Sequence, residues 1–247
     1  MPELVYPPIV FASKTMFRIL DLRLTVTGAE HVPRTGGAVL AANHVSYLDF
    51  IFCGYGAQPS RRLVRFMAKK AIFDHRIAGP LMRGMRHIAV DRAAGAESYD
   101  QALTALRAGE VVGVFPEATI SRSFTVKDLK TGAARLAAAA GVPLIPVSLW
   151  GTQRLWTKGR PRTLTRRHVP VSISLGEPMH PSSADSPEEV TADLHTRLSA
   201  LLDAAQRSYP DRPADPTDNW WQPAHLDGSA PTPEEAAELD AQRPEHR

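Results

Sequence analysis

Gly36-Gly37-Ala38-Val39-Leu40-Ala41-Ala42-Asn43-His44-Val45-Ser46-Tyr47-Leu48-Asp49 is the stretch whose reading decides the fold class. A continuous apolar run after a Gly-Gly turn reads as a buried strand. From Ser46 onward the pattern of Leu48, Phe50, Ile51, Phe52 and Tyr55 suits a helix, expected over Tyr47 to Tyr55. The chain therefore passes from a strand into a helix at Asn43 to Ser46. Uncommitted backbone N–H groups and Asn or Ser caps are expected at such a helix start. His44 falls at the lip of the strand, and Asp49 about a turn and a half further on. An imidazole can take a proton near pH 7. A carboxylate on its far nitrogen would hold the tautomer and stabilise the imidazolium. The chemistry implied is removal of a hydroxyl proton while that oxygen attacks an acyl carbonyl. The oxyanion donors are expected among backbone N–H groups near the same helix start.

Outward from this point, strands and helices alternate. Strand patterns fall at Leu22 to Thr27, Val39 to Ala42, Leu63 to Ala68, His87 to Val90, Val111 to Phe115, Leu144 to Trp150 and Val169 to Leu175. Helical patterns fall at Ile77 to Met85, Ala96 to Arg107, Asp128 to Ala140 and Pro187 to Ser208. Such alternation predicts an α/β sandwich: one domain with a central, mostly parallel sheet flanked by helices. Sites in these sheets lie past the carboxyl ends of strands. His44, Arg92 and Glu117 each follow a predicted strand, so the pattern brings them to one edge.

The His-x-x-x-x-Asp spacing is weak by itself, because His180 and Asp185 repeat it in a polar, Pro-flanked loop with no strand feeding it. A longer ordered set is more specific. Asn43-His44 through Asp49 comes first. Ala68-Lys69-Lys70 to Ile88-Ala89-Val90-Asp91-Arg92 is second, with Gly79-Pro80 and Gly84 between. Phe115-Pro116-Glu117-Ala118-Thr119 is third, and Val142-Pro143-Leu144-Ile145-Pro146-Val147 is fourth. With these blocks in this order, over about residues 40 to 150, the chain resembles the glycerophospholipid acyltransferase family. The resemblance implies transfer of a fatty acyl group from a thioester donor, acyl-CoA or acyl-carrier protein, to the hydroxyl of 1-acyl-glycerol-3-phosphate. It implies His44 as base and Asp49 as its partner. It assigns Lys69, Lys70, Arg92, Glu117, Thr119 and Arg122 to the acceptor site, with no cofactor and no metal. The third block departs from the family's usual Phe-Pro-Glu-Gly-Thr-Arg-Ser: Ala118 stands for the glycine, Ile120 follows Thr119, and an arginine comes later at Arg122. Arg92 and Arg122 are expected to divide between acceptor phosphate and neighbouring negative charge. Variants of this kind leave a glycolipid hydroxyl open as an alternative acceptor.

Composition bounds the remaining possibilities. The 247 residues, 43% hydrophobic and 22% charged, suit a folded domain with an ample core. The single Cys53 excludes an internal disulfide, and its place beside Phe50 to Phe52 marks a small core residue. No Gly-x-Ser-x-Gly elbow, Walker loop or His-Glu-x-x-His pattern occurs. An acyl-enzyme, a nucleotide fold and a catalytic metal are therefore not indicated. Net charge is +3, but it divides unevenly. Residues 1–184 carry 24 basic and 12 acidic side chains; from Asp185 onward there are 5 basic and 14 acidic. Two basic stretches, Arg61 to Arg92 and Arg154 to Arg167, point to an anionic surface or ligand. Aromatic residues at 7% are not interleaved with them as nucleic-acid stacking requires, so anionic lipid and a phosphorylated substrate are the expected partners.

The start, Met1-Pro2-Glu3-Leu4, has neither a basic n-region nor an apolar core, so no signal peptide is expected. A helix within residues 1–21 places Ile9, Met16, Ile19 and Leu20 on one face, to lie on a membrane or to pack on the domain. The domain is expected to end near Ser208. Residues 209–247 then form an extended acidic, Pro-rich tail with Trp220-Trp221 as an anchor and a short helix from Thr232. The Arg-rich loop after Gly151 is expected to serve as a lid or a membrane contact. The expected location is peripheral, on the cytoplasmic face of the cell membrane. A non-catalytic lipid-binding module and an ester hydrolase are the competing readings; the first is opposed by the intact His44 and Asp49, the second by the missing nucleophile.

Overall fold

The computed structural model describes residues 3–91, 95–213, 215 and 218–242. Among them, seven strands form one sheet: β1 (Arg23–Thr27), β2 (Ala38–Ala42), β3 (Val64–Lys69), β4 (Ile88–Val90), β5 (Val111–Val114), β6 (Leu144–Trp150) and β7 (Pro170–Leu175). Their order is β1-β7-β6-β2-β5-β3-β4. Every neighbouring pair is parallel except β6 with β7. β2 lies near the middle and is buried along its whole length. Its pleat sends Ala38, Leu40 and Ala42 into one apolar cluster and Val39 and Ala41 into another, because successive side chains of a strand leave opposite faces. A strand covered on both sides needs apolar residues throughout, which is why this segment does not alternate.

Helices supply the two covers. They are α1 (Tyr6–Ile19), α2 (Asp49–Gly56), α3 (Lys70–Asp74), α4 (Ala78–Gly84), α5 (Gly95–Arg107), α6 (Gly132–Ala140), α7 (Pro187–Arg207) and α8 (Pro233–Ala241). α1 and α2 cover one face, with Phe17 stacked on Phe52 at 4.9 Å and Cys53 buried beside them. Desolvation pushes the Cys53 thiol upward, as suits a core residue. α5, α6 and α7 cover the other face through Ala102, Leu106, Leu136 and Leu194. α3 is an addition to the expected set. α6 starts later than Asp128 because Lys130 N–H donates to the Pro116 carbonyl and holds the preceding segment against the loop after β5.

α1 packs on the domain with a different phase from the one its pattern suggested. Tyr6 and Phe17 are its buried residues, and the Tyr6 hydroxyl donates to the Val64 carbonyl at 2.8 Å. Met16 and Ile19, expected on a shared apolar face, are 41% and 63% exposed, and Phe11 is 73% exposed. Docking of the tyrosine hydroxyl and the phenylalanine stack sets the rotation, and the remaining apolar residues face outward.

The segment after Ser208 is not a separate tail. Its described residues are packed: Tyr209, Trp221 and Ala230 join Trp150, Leu202 and Phe124 in a third apolar cluster. Its acids neutralise the body of the domain. Asp211 pairs with Arg23 and Arg154, Asp218 with Arg166, and Asp240 with Arg122, Lys127 and Lys158. The division at residue 208 therefore does not hold. Trp221 is the anchor that the Trp220-Trp221 pair led one to expect, and what the polar, Pro-rich composition hides is a complementary set of ion pairs. Much of the positive charge read as surface is also structural. The Arg62 guanidinium donates to the carbonyls of Pro33, Gly36 and Gly109, and Arg65 is buried against Glu3 and Glu110.

Candidate active site

β2, β5, β3 and β4 are consecutive in the sheet and parallel, so their carboxyl ends open on one edge. A cavity of about 640 Å³ lies there, within the range of ligand pockets. Its walls are mainly apolar, from Phe50, Phe66, Ile72, Val114, Phe115 and Leu136, and His44, Lys69, Thr119, Lys130 and Lys158 add polar groups. Gly113 of β5 makes room for the Phe66 ring: a Cβ on it would come within 2.4 Å of that ring.

His44 leaves the end of β2 and stacks on Phe115 with ring centroids 4.4 Å apart. Its Nδ1 is 3.0 Å from Asp49 Oδ2. A carboxylate only accepts, so Nδ1 carries the proton and Nε2 keeps a lone pair. Asp49 has no exposed surface. The same Oδ2 accepts the N–H groups of Val45 and Ser46, both at 2.7 Å, and Oδ1 accepts the Thr152 hydroxyl at 2.6 Å. A buried carboxylate with this many donors is held in one position, and it holds the imidazole in turn.

The loop that carries His44 is fastened from three sides. Asn43 bridges β2 to β6, donating to the Leu149 carbonyl and accepting the Leu149 N–H. The His44 N–H donates to Glu117 Oε1 at 2.7 Å, and the His44 carbonyl accepts from Ser121 N–H at 2.7 Å. The segment after Gly151 closes the third side: the Thr157 hydroxyl donates to the Val45 carbonyl and the Ser46 hydroxyl to the Trp156 carbonyl. Thr152, Gln153, Arg154, Leu155 and Thr157 are buried, so this part of the Arg-rich loop is a fixed support behind the histidine loop and not a lid.

The other sequence candidates separate into distinct positions. Glu117 is buried behind His44, with Oε2 accepting the Lys127 N–H at 3.0 Å, and it is not among the residues lining the cavity. Burial pushes its carboxyl up to about 8, against the lowering effect of the two N–H donors. Ala118 adopts φ 62°, the left-handed backbone that the family's glycine would take without cost. Thr119 lines the cavity, and its hydroxyl accepts from Lys127 Nζ at 2.9 Å. Lys69 lines the cavity. Lys70 is exposed and pairs with Asp91 at 3.1 Å. Arg122 is turned onto Asp240 at 3.0 Å. Arg92 lies outside the described residues. Oxyanion donors were expected among the backbone N–H groups near this helix start; of these, the N–H groups of His44, Val45 and Ser46 donate to the side-chain oxygens of Glu117 and Asp49 and hold the shape of the histidine loop.

A histidine in the wall of an apolar cavity, held by a fully buried aspartate at a strand end, suits acyl transfer, and comparison with known proteins agrees. A profile of the acyltransferase family matches residues 23–150. A 1-acyl-sn-glycerol-3-phosphate acyltransferase of Bacillus subtilis (strain 168) is 30% identical over 69% of this chain and 81% of its own. This chain belongs to the acyltransferase family. A chloroplastic 1-acyl-sn-glycerol-3-phosphate acyltransferase of Arabidopsis thaliana is 29% identical, over 66% of this chain and 45% of that protein. The crystal structure of the 1-acyl-sn-glycerophosphate (LPA) acyltransferase PlsC from Thermotoga maritima matches with a TM-score of 0.69 and 25% identity. It covers 83% of this chain and 81% of that one.

Within this acyltransferase Thr152, Thr157 and Lys127 carry no motif or spacing that links them to the site, and Lys158 is marked only as part of a basic stretch. Thr152 lies 103 positions from Asp49 in sequence, and Lys158 82 positions from Asp240. No local spacing links such pairs. The one available signal was the run of polar residues directly after β6, the strand beside β2.

Proposed function

We propose that this acyltransferase moves a fatty acyl group from a thioester, acyl-CoA or acyl-carrier protein, to the free hydroxyl of 1-acyl-glycerol-3-phosphate, making phosphatidic acid for phospholipid synthesis. The observation that carries the reading is the His44 Nδ1–Asp49 Oδ2 pair at 3.0 Å, with the imidazole in the wall of the apolar cavity. His44 Nε2 takes the acceptor's hydroxyl proton as that oxygen bonds to the thioester carbonyl carbon. When the tetrahedral intermediate collapses, the C–S bond breaks and the leaving thiolate takes the proton back from the imidazolium. Asp49 stabilises the transient positive charge on the ring. The apolar walls suit an acyl chain, and the lysines at the edge suit an anionic headgroup. Similarity to the proteins named above supports the acceptor.

The acceptor is a lipid, so the enzyme must meet a bilayer. Among the described residues no helix is long and apolar enough to cross a membrane. Leu4, Phe11, Met16 and Ile19 are exposed on and beside α1, and Ile72, Ile77 and Leu81 on and between α3 and α4. These elements are joined through Tyr6, Phe73, Met82 and Met85, and Ile72 also lines the cavity. We read this as a peripheral docking face, on the cytoplasmic side of the cell membrane, that delivers acceptor directly to the cavity.

The test is product formation by purified protein with acyl-CoA and lysophosphatidate on liposomes. Phosphatidic acid should form, and His44→Ala should lose it while keeping the wild-type melting temperature. Transfer to a glycolipid but not to lysophosphatidate would reassign the acceptor; wild-type turnover by His44→Ala would reject the mechanism. Phe11→Ser together with Ile77→Ser should weaken liposome flotation; unchanged flotation would remove this face from the docking model.

A further inference from the structure

Arg122, Lys127 and Lys158 converge on a single carboxylate that comes from the far end of the chain. Asp240 Oδ1 accepts from Arg122 Nε at 3.0 Å and Lys158 Nζ at 2.6 Å, and Oδ2 accepts from Lys127 Nζ at 2.9 Å. Three cations around one anion leave a formal charge of +2 at a partly buried place, where such charge is weakly screened. The cluster adjoins the cavity that holds His44. Lys158 is itself a wall residue, and Lys127 Nζ donates to the hydroxyl of Thr119, another wall residue.

The helix that brings Asp240 is lightly held. α8 has one buried residue, Ala236, and its capping box, Thr232 with Glu235, is internal to the helix. The chain before it is anchored firmly by Trp221, which is 1% exposed, and Ala230 at 5%. Movement of α8 about Pro231 would thus leave the core intact. Hydrogen bonds from the three cations outweigh the burial cost of the carboxylate and hold the Asp240 carboxyl down at about 2. It is therefore an anion throughout the range in which the enzyme would work.

We propose that Arg122, Lys127 and Lys158 form a subsite for a phosphate monoester, and that Asp240 of α8 is its internal occupant, displaced when the acceptor's phosphate enters. The proposal rests on the acceptor reading above and adds the residues that take the phosphate and the segment that competes with it. A phosphate monoester carries about −1.5 to −2 charge at neutral pH, so it balances three cations better than a carboxylate does, and its oxygens accept the same N–H donors. The C-terminal segment then acts as a plug that an acceptor of the right charge removes and a neutral lipid does not.

Two measurements on the full chain test this. The first is hydrogen–deuterium exchange of the wild-type protein with inorganic phosphate, glycerol 3-phosphate or lysophosphatidate, against sodium chloride of equal ionic strength. Exchange at residues 233–241 should rise with all three phosphates and stay at its starting level with chloride. A rise with lysophosphatidate alone would mean that the lipid, not the phosphate, moves the helix, and would overturn the subsite. No rise with any of them would overturn the displacement.

The second is kinetic. Asp240→Asn, which keeps the shape and removes the charge, should lower KM for lysophosphatidate and the inhibition constant of inorganic phosphate about tenfold. KM for acyl-CoA should stay the same. A raised KM for lysophosphatidate would show that Asp240 arranges the cations for the ligand instead of competing with it; an unchanged KM would leave the cluster as a tether. Either overturns the proposal. The exchange measurement needs no catalysis. If wild-type protein acylates only neutral lipids, the acceptor reading fails, and the phosphate titration still decides the subsite separately.

Discussion

His44 with Asp49 and His180 with Asp185 share one spacing and have nothing else in common. Asp49 is fully buried and binds the imidazole, two backbone N–H groups and a threonine hydroxyl. Asp185 is exposed and accepts the N–H and hydroxyl of Ser182, closing a surface turn before α7, and His180 is exposed as well. In the first copy a buried strand delivers the histidine, and the carboxylate must find partners because it has lost water. In the second, water satisfies whatever the turn does not. A His–Asp pair is made by the burial of its acid, and the spacing merely permits it.

The largest expected effect separates the two histidines. His44→Ala should reduce acyl transfer by about 10²- to 10⁴-fold, the usual cost of a general base. His180→Ala should leave turnover within twofold of wild type. Comparable losses in both would mean that burial is not what distinguishes the copies. Next come the carboxylates. Asp49→Asn puts an amide donor where one oxygen now accepts from three N–H groups, so turnover should fall by about 10²-fold or more and stability by about 1–3 kcal/mol. Asp185→Asn should change neither turnover nor unfolding in urea measurably. A fully active Asp49→Asn enzyme would sink the orienting role assigned to that carboxylate.

A third experiment probes a support that the surface copy lacks. Burial holds the Glu117 carboxyl at about 8, whereas in the unfolded chain it ionises near its ordinary value of 4.5. Between those values the folded state retains a proton that the unfolded state has lost, so stability from this group declines as pH rises from about 4.5 to 8, then levels off. The slope is at most about 1.4 kcal/mol per pH unit. Glu117→Gln, neutral at every pH, should flatten that part of the stability curve. The same slope in the variant would rule out Glu117 as its source. The smallest effect belongs to Ala118. Its left-handed backbone costs an L residue about 1–2 kcal/mol, and Ala118→Gly would recover that less about 0.4–1 kcal/mol of added freedom in the unfolded chain. A rise in Tm of about 2 °C is expected, with turnover retained; a fall would mean that the methyl group contributes packing that outweighs the strain.

Fold class, the seven strands and the His44–Asp49 pair were legible because they depend on local patterns: apolar runs, turn residues and a histidine where a buried strand becomes a helix. Glu117 was legible as a residue at the end of a strand near the histidine, but its position behind His44 and outside the cavity wall was not, since one side chain after a strand can turn either way. The phase of α1 was hidden for a similar reason, as a helix apolar on several sides has more than one face to bury.

What the sequence alone determined is therefore the layering and the pairing of His44 with Asp49 at the end of β2, where neighbours in the chain are neighbours in space. Tertiary structure decided the rest. Thr152 reaches Asp49 from the end of β6, Asp240 gathers three cations beside the cavity, and Trp221 turns an acidic, Pro-rich segment into part of the core. Each joins residues distant in the chain, and their partners were chosen by desolvation and charge once the sheet had brought the strand ends together.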